Sequence, residues 1–204
     1  MSSRIGILLV VSGPSGSGKT TLCRKLAESS NVHYSISCTT RAPRVSEVPD
    51  EDYHFLTPAE FASYIEQGEF LEHAQVHGHH YGSLKSEVIG HLQKGVDVVM
   101  DIDVQGAAQI RQCADGVIQL AFVDVFVMPP NENELAQRLS GRGTDDLVTI
   151  ALRMKNALEE MRHWHNYRYL LMSCSREKDF EQFSGIVTAE RMRVSRMLDT
   201  APNI

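Results

Sequence analysis

Long apolar runs alternate with amphipathic segments along most of the chain. The runs at 5–11, 96–103 and 119–127 are almost continuous and rich in β-branched residues. Runs of this kind are typical of strands that are buried on both faces, as in a parallel sheet. The alternating segment 32–38 and the segment 167–173 are further predicted strands.

Helical patterns follow most of these strands. Thr57, Pro58 and Glu60 form the start signal of one helix, with a capping hydroxyl, a proline in the first turn and a carboxylate three residues on. The predicted helices span 19–30, 57–68, 85–94, a segment opened by Asn131, 144–164 and 179–198. Strands that alternate with helices in this way predict an α/β fold, with a central parallel sheet flanked by helices.

Residues 36–89 interrupt this alternation. They are polar, aromatic and rich in loop-forming residues. Binding residues are commonly carried by such segments on a rigid scaffold. We therefore expect an inserted lobe that binds a substrate.

The composition indicates an acidic, soluble domain of 204 residues with a formal net charge of −6. An acidic chain lacks the general electrostatic footprint of a nucleic-acid binder, so no nucleic-acid partner is expected. The chain has no apolar run of membrane-spanning length, so no membrane partner is expected either. Four scattered cysteines without a CxxC pair indicate free thiols in a reducing cytosol. The first apolar run leads directly into a glycine loop, unlike a signal peptide, which favours a cytoplasmic location.

A phosphate-binding loop follows the first predicted strand. The sequence GPSGSGKT fits the pattern G-x-x-x-x-G-K-[ST], with a strand before it and a helix after it. Backbone N–H groups and the helix N-terminus can hold phosphate oxygens there, with Lys19 at the β- and γ-phosphates and Thr20 at Mg²⁺. The predicted ATP-binding residues are Gly13, Pro14, Ser15, Gly16, Ser17, Gly18, Lys19, Thr20 and Thr21.

Two aspartates follow the apolar run at 96–103. A carboxylate at the carboxyl end of a parallel strand lies beside the phosphate loop, where it can hold Mg²⁺ through water. Asp101 and Asp103 are both candidates for this role on position alone.

The phosphate loop leaves the reaction open. GTPases recognise guanine with an Asn-Lys-x-Asp stretch, and this sequence has no Asn-Lys pair. Motors and helicases are usually larger. Small kinases of nucleotides and metabolites are the remaining class of P-loop protein.

Several further segments resemble one family of such kinases. The segments are GPSGSGKTTL, TTRAPR, DYHF, GEFLEHAQVHG, YGS, DIDVQGA and RLSGRGTDD. They occur in the order found in guanylate kinases, the P-loop nucleoside monophosphate kinases that transfer phosphate from ATP to GMP, and they cover roughly residues 5–165. The resemblance implies the P-loop kinase fold, with a GMP-binding lobe and a short helical lid.

The resemblance also assigns the acceptor site. Arg41, Arg44, Tyr53 and Tyr81 match the ligands of the GMP phosphate, and paired guanidinium groups suit phosphate oxygens. Glu72 matches the carboxylate that recognises guanine, whose N1–H and 2-amino group are adjacent donors. Adenine presents an acceptor at N1 instead, and a site built on such a hydrogen bond discriminates strongly. The implied GMP-binding residues are Ser37, Arg41, Arg44, Tyr53, Glu72, Tyr81, Ser83 and Asp103, with Asp101 left as the metal-side carboxylate.

Three arginines match the lid of the family. Arg138 and Arg142 are four residues apart, on one helical face, and Arg153 follows. Together with Lys19 they are the predicted catalytic residues, because phosphoryl transfer needs positioning and charge neutralisation more than acid–base chemistry.

These matches imply an organisation and a reaction. The domain is expected to span 4–184, with a C-terminal helix and tail at 185–204. Its core comprises 4–36, 90–137 and 153–184, its GMP-binding lobe 37–89 and its lid 138–152. The expected reaction is Mg²⁺-dependent phosphorylation of GMP, and also of dGMP, by ATP in purine nucleotide metabolism. The sequence leaves a monomer and a homo-oligomer equally open.

The match becomes weaker after the last predicted strand. Where the family usually has Asn-Asp, near the adenine of ATP, this chain has Ser173 and Cys174. A looser selectivity for the donor base is one hypothesis from this difference. Two other readings are a kinase of another monophosphate and a scaffold that has lost catalysis. Lys19, Arg41 and Glu72 are all retained, which favours the enzyme that acts on GMP.

Overall fold

A five-stranded parallel sheet forms the centre of the protein. The computed structural model describes residues 4–76, 78–140 and 147–197. The sheet has the order β2-β7-β1-β8-β9, and every pairing within it is parallel. Its strands are β1 Leu8–Ser12, β2 Val32–Tyr34, β7 Asp97–Asp101, β8 Phe122–Met128 and β9 Tyr169–Met172. The predicted α/β architecture is therefore confirmed.

The continuous apolar character of β1 is explained by helices on both faces of the sheet. Leu9 and Val11 belong to a core cluster shared with α1 (Lys19–Ser29) and α8 (Arg176–Arg191). Leu8 and Val10 belong to a second cluster, on the other face. Because successive strand residues point to opposite faces, a strand between two helical layers has no polar face. The remaining helices are α2 Pro58–Glu66, α3 Ile89–Gln93, α4 Val104–Arg111, α5 Gly116–Ala121, α6 Glu132–Ser140 and α7 Leu147–Met161.

Residues 37–89 contain a separate four-stranded sheet of order β4-β3-β6-β5. Its strands are β3 Cys38–Thr39, β4 His54–Phe55, β5 Phe70–Val76 and β6 His79–Leu84. Helix α2 begins with the predicted capping box, in which Thr57 and Glu60 bond to each other's backbone N–H groups. Phe61 of α2 packs on Phe70 of β5 and gives this region its own small core.

Several predicted boundaries are wrong. Residues 119–121 are the last turn of α5 and not a strand, because Asp115 caps that helix at Val117 and Ile118. The predicted strand 32–38 divides into β2 and β3, which belong to different sheets. The predicted helix 179–198 is α8, which begins earlier because Ser175 caps it at Lys178, and which ends at Arg191.

The predicted helix 85–94 also differs, since it divides at Val88 into a 3-10 turn and α3. The long helix that Thr144 was expected to open is described from Leu147. Thr144 itself lies outside the described residues. Helix α4 and the hairpin of β5 and β6 had no counterpart in the predicted elements.

Candidate active site

A cleft of about 530 Å³ lies where the carboxyl ends of β1 and β7 meet the four-stranded sheet. Ligands of open α/β sheets bind at this end of the strands. The cleft is lined by Gly13, Ser15, Gly16, Gly18, Lys19, Thr20, Thr21, Arg24, Tyr34, Ser37, Arg41, Arg44, Glu47, Asp52, Tyr53, Glu72, Ala74, Val76, Tyr81, Asp101, Ile102, Asp103, Arg138 and Glu160. Most of the residues predicted for the donor and acceptor sites thus share one cavity.

The phosphate loop has the backbone that its glycines predict. Gly16 and Gly18 have φ values of 85° and 95°, which side-chain-bearing residues rarely adopt. A Cβ on Gly13 would lie 2.3 Å from the carbonyl oxygen of Val127, so β8 requires glycine there. The Nζ of Lys19 donates to the carbonyl oxygens of Gly13 and Pro14, at 2.6 and 3.1 Å. The lysine is therefore folded back over its own loop, within the cleft that a phosphate chain would enter.

Thr20 and Asp101 come together beside this loop. The Thr20 hydroxyl, in the first turn of α1, donates a hydrogen bond to the carboxylate of Asp101 at the end of β7. These are hard oxygen donors, the type that Mg²⁺ prefers. Asp103 has a different role in the fold, because its Oδ1 accepts from the Gly106 N–H at 2.8 Å and so caps α4. The structure thus separates the two aspartates that position in the sequence left equivalent.

Glu72 is a buried carboxylate on β5, with 4% of its surface exposed. The Ser83 hydroxyl donates to Oε1 at 2.7 Å, and Ser37 lies 3.4 Å from that hydroxyl. Burial raises the pKa of Glu72 to about 7; the hydrogen bond from Ser83 acts in the opposite direction and the negative charge of Asp103 adds to the rise. The carboxylate accepts from the hydroxyl and the backbone of Ser83, but it also lines the cleft, and its two oxygens offer about four acceptor positions, so it retains acceptor capacity there.

Arg41 and the two tyrosines form a second group in the cleft. The Arg41 Nε donates to the Tyr81 hydroxyl at 3.3 Å, and the guanidinium carbon lies 5.5 Å from the centre of the Tyr53 ring. The Tyr53 and Tyr81 rings meet edge to face, with centroids 6.0 Å apart. Arg44, on the loop after β3, is 56% exposed and lines the same part of the cleft. A cluster of forked cationic donors and phenols suits a phosphate group.

The three predicted lid arginines are placed unequally. Arg138, on α6, lines the cleft and forms an ion pair with Glu134 at 3.1 Å. Arg153 is half-buried on α7. Arg142 lies outside the described residues. Of the three, Arg138 lies beside the phosphate loop, where a Cβ built on Gly16 would lie 3.7 Å from the Arg138 Cβ.

The cleft also contains acidic and basic residues that sequence reasoning missed, namely Arg24, Glu47, Asp52 and Glu160. The pKa of Glu160 is raised by burial; the charge of Lys19 and an N–H bond from Ser15 act downward, and the charge of Asp103 acts upward. Arg24 of α1 pairs with Asp52 at 2.5 Å and so joins the core to the four-stranded sheet. Asp52 begins the matched segment DYHF, whereas Arg24, Glu47 and Glu160 lie outside the matched segments, and the fold brings all four to the cleft.

Ser173 and Cys174, in the segment after β9, form hydrogen bonds to a residue of α8. Ser173 is 5% exposed, and its hydroxyl donates to the buried Asp179 at 2.8 Å. The Cys174 N–H donates to the same carboxylate at 2.8 Å. The described residues that line the cleft include neither Ser173 nor Cys174. Their polar groups therefore fix the start of α8.

Among the described helices, every one is too short or too polar to cross a membrane.

Comparisons with known proteins agree on one family. Residues 6–190 match the family model described as "Guanylate kinase". A guanylate kinase of Clostridium tetani is 38% identical over 196 residues, which cover 96% of this chain and 91% of that protein. A guanylate kinase of Novosphingobium aromaticivorans is 44% identical over 194 residues, with 95% and 86% covered. The crystal structure of guanylate kinase from Anaplasma phagocytophilum matches with a TM-score of 0.81 and 31% identity, covering 97% of this chain and 93% of that chain.

Proposed function

Because the chain belongs to the guanylate kinase family, we propose that its cleft transfers the γ-phosphate of ATP to GMP, and also to dGMP, giving ADP and the diphosphate. Family membership makes the protein a nucleoside monophosphate kinase. The observation that carries the site assignment is one cleft with the phosphate loop at one end and the buried carboxylate of Glu72 in the acceptor lobe.

The donor phosphates are assigned to the loop 13–21. Gly18 occupies the N-cap position of α1 and has no side chain to cap the first N–H groups of the helix. These groups and the helix dipole attract phosphate oxygens. Lys19 would exchange its bonds to two carbonyl oxygens for bonds to the β- and γ-phosphates, because a charged acceptor holds an ammonium group more strongly.

Mg²⁺ is assigned to Thr20 directly and to Asp101 through water. The hydrogen bond between these side chains supports this assignment, because it brings two side-chain oxygens together beside the phosphate loop. Mg²⁺ in nucleotide sites typically uses one or two protein ligands with phosphate and water, so a small ligand set fits it. When bound, the ion would neutralise part of the negative charge of the donor phosphates.

GMP is assigned to the lobe 37–89. The free acceptor positions of the Glu72 carboxylate match N1–H and the 2-amino group of guanine, while Ser37, Ser83 and Asp103 lie around it. Arg41, Arg44, Tyr53 and Tyr81 would hold the phosphate of the nucleotide. The sugar 2′-hydroxyl has no assigned partner in this scheme, which is why dGMP is expected to react as well.

The transfer itself needs no protein base. An ionised oxygen of the GMP phosphate attacks the γ-phosphorus of ATP. The new P–O bond forms as the bond to the β,γ-bridging oxygen breaks, and ADP leaves with those electrons. We assign the stabilisation of the negative charge that develops during transfer to Lys19, Arg138, Arg142 and Arg153. Closure of the lid, residues 138–152, would exclude water from the site.

No nucleic acid or membrane is required by this proposal. The net charge of −6 is unfavourable for either polyanion, and the positive charge used for phosphate is concentrated in the cleft. We place the reaction in the cytoplasm, the compartment that supplies ATP and GMP, with the protein as a monomer or a homo-oligomer.

The experiment that tests the proposal is ADP release from ATP and Mg²⁺ with GMP, dGMP, AMP, CMP and UMP offered separately. We expect turnover with GMP and dGMP and a loss of at least about 100-fold in kcat/KM with the other nucleotides. Comparable turnover with AMP, or none with any acceptor, would contradict the proposal. ATP, GTP and dATP compared as donors test the separate hypothesis of a loose donor-base selectivity.

A further inference from the structure

Glu47 is a half-buried acid in the middle of the cationic group assigned to the GMP phosphate. Its side chain is 11% exposed, although it lies on a loop. Both carboxylate oxygens accept from the Arg41 Nη2, at 2.8 and 3.0 Å. Both oxygens thus lie within hydrogen-bond distance of one guanidinium nitrogen, and this charge-assisted contact holds that end of the guanidinium group in place.

The same carboxylate also holds Arg44. Its Oε2 accepts from the backbone N–H of Arg44 at 2.8 Å, and its Oε1 lies 3.3 Å from the Arg44 Nη1. The Glu47 N–H in turn donates to the Arg44 carbonyl oxygen at 3.0 Å, which closes a turn. One carboxylate therefore fixes both the backbone of Arg44 and the direction of Arg41.

The segment that carries Glu47 is anchored on its other side as well. Asp52 accepts from the Val48 N–H at 2.8 Å and pairs with Arg24 of α1 at 2.5 Å. Helix α1 begins with Lys19. The turn that presents the two acceptor arginines is thus tied, through Asp52, to the helix that carries the donor-site lysine.

These contacts keep the Glu47 side chain in its charged form. Burial alone would raise the pKa of Glu47, but hydrogen bonds from Arg41 and the Arg44 N–H outweigh it and lower the pKa. The carboxylate is therefore ionised at neutral pH. It separates two guanidinium groups that would otherwise repel each other in a confined site.

We propose that Glu47 is a positioning residue for the acceptor phosphate: it holds Arg41 and Arg44 in the arrangement that receives the phosphate of GMP. The inference rests on the proposed roles of these two arginines. Removal of the Glu47 charge also has an opposing effect, because a less negative site attracts the doubly charged phosphate of GMP more strongly. Preorganisation outweighs it, since the Arg41 guanidinium group and the backbone of Arg44 lose their fixed positions without the carboxylate.

The test compares Glu47→Gln with the wild type, and uses guanosine as a competitive inhibitor that lacks the phosphate. Glu47→Gln keeps the size of the side chain and removes its charge. We expect the KM and Kd for GMP to rise about tenfold, while the Ki of guanosine, the KM for ATP and kcat change less than about twofold. Glu47→Asp retains the carboxylate and should recover part of the loss. Glu51→Gln, an exposed acid on the same loop, is the matched control and should behave as wild type.

Three outcomes would overturn the inference. GMP binding that is unchanged or tighter in Glu47→Gln would mean that the charge effect dominates. Equal weakening of GMP and guanosine would mean that the whole lobe is disturbed. A Glu47→Asp variant no better than Glu47→Gln would exclude the carboxylate as the cause. Failure of the proposed function is distinguishable, because it would appear as a lack of GMP turnover in the wild type or as an Arg44→Gln variant that binds GMP normally.

Discussion

The carboxylate of Glu72 packs directly against the Cα of Gly106. A Cβ built on Gly106 would lie 2.4 Å from Oε2, while Oε1 of the same carboxylate is held by Ser83. Gly106 lies in the first turn of α4 and has no left-handed backbone, so its importance is the space that it leaves. The amino end of α4 thus limits the space available to the Glu72 carboxylate and so sets the position of this proposed guanine-binding group.

The substitution Gly106→Ala tests this contact between Glu72 and α4. The added methyl group must displace Glu72 or α4, so we expect the KM for GMP to rise about tenfold or more with little change in the KM for ATP. The matched control is Gly185→Ala in α8, where no atom lies within 4 Å of an added Cβ. Alanine favours helix there, so the control should be as active as wild type and equally or more stable. Unchanged GMP kinetics in Gly106→Ala would show that Glu72 does not depend on this contact.

The raised pKa of Glu72 predicts a dependence on pH. The proposed bonds to guanine N–H groups need the ionised form, and burial raises the pKa to about 7 in the free protein. As pH falls below about 7 the carboxylate takes up a proton, so kcat/KM for GMP should decrease toward about tenfold for each pH unit. The profile is compared with that of Glu72→Gln, because the phosphate of GMP also titrates. An acid limb that is identical in both proteins would assign it to the nucleotide.

Lys19→Ala should separate chemistry from acceptor binding. Loss of the ammonium group removes a cation from the donor phosphates, so kcat should fall at least about 100-fold. The Kd for GMP, measured without ATP, should change by less than about threefold, because the acceptor contacts lie on the other lobe. Lys94→Ala, at an exposed lysine, is the control. Retained turnover in Lys19→Ala would remove the phosphate loop from the proposed mechanism.

A buried ion pair near the C-terminus gives a prediction about stability. The Arg196 Nη1 donates to Glu190 at 2.6 Å, and each side chain is only 2% exposed. The Tyr169 hydroxyl donates to the same carboxylate at 2.6 Å. Arg196→Met should lower the free energy of unfolding by up to about 3–5 kcal/mol, because it leaves the buried acid with only the more distant, half-exposed Arg193 as a cation, at 3.5 Å. Urea unfolding measures the change. The double variant with Glu190→Gln should recover part of it, and a neutral Arg196→Met would contradict the argument.

Local patterns predicted the parts of the protein that depend on local physics. The phosphate loop could be predicted because strand, glycines, lysine and helix follow one another within a few residues, and the apolar pattern of β1 follows from burial on two faces. The capping box of α2 is local in the same sense. The resemblance to a family supplied Glu72 and Arg41, which the residue pattern alone would not have selected.

What the sequence did not predict depends on contacts between distant segments. Glu47 is an ordinary loop acid until the fold of its turn places it on Arg41 and Arg44. Gly106 lies in the matched segment DIDVQGA, but its role appears only when β5 brings Glu72 to α4. The strand expected from 119 failed because apolar residues of a short buried helix continue without a break into β8.

The measurement that most directly tests the central claim compares GMP with IMP as acceptors, for the wild type and for Glu72→Gln. The two nucleotides differ by the 2-amino group, one of the two donors assigned to the Glu72 carboxylate. We predict that the wild type favours GMP by about tenfold or more in kcat/KM. In Glu72→Gln, kcat/KM for GMP should fall at least about 100-fold, most of that preference should disappear, and the KM for ATP should stay the same. Equal use of GMP and IMP by the wild type, or a preference that survives in Glu72→Gln, would contradict it.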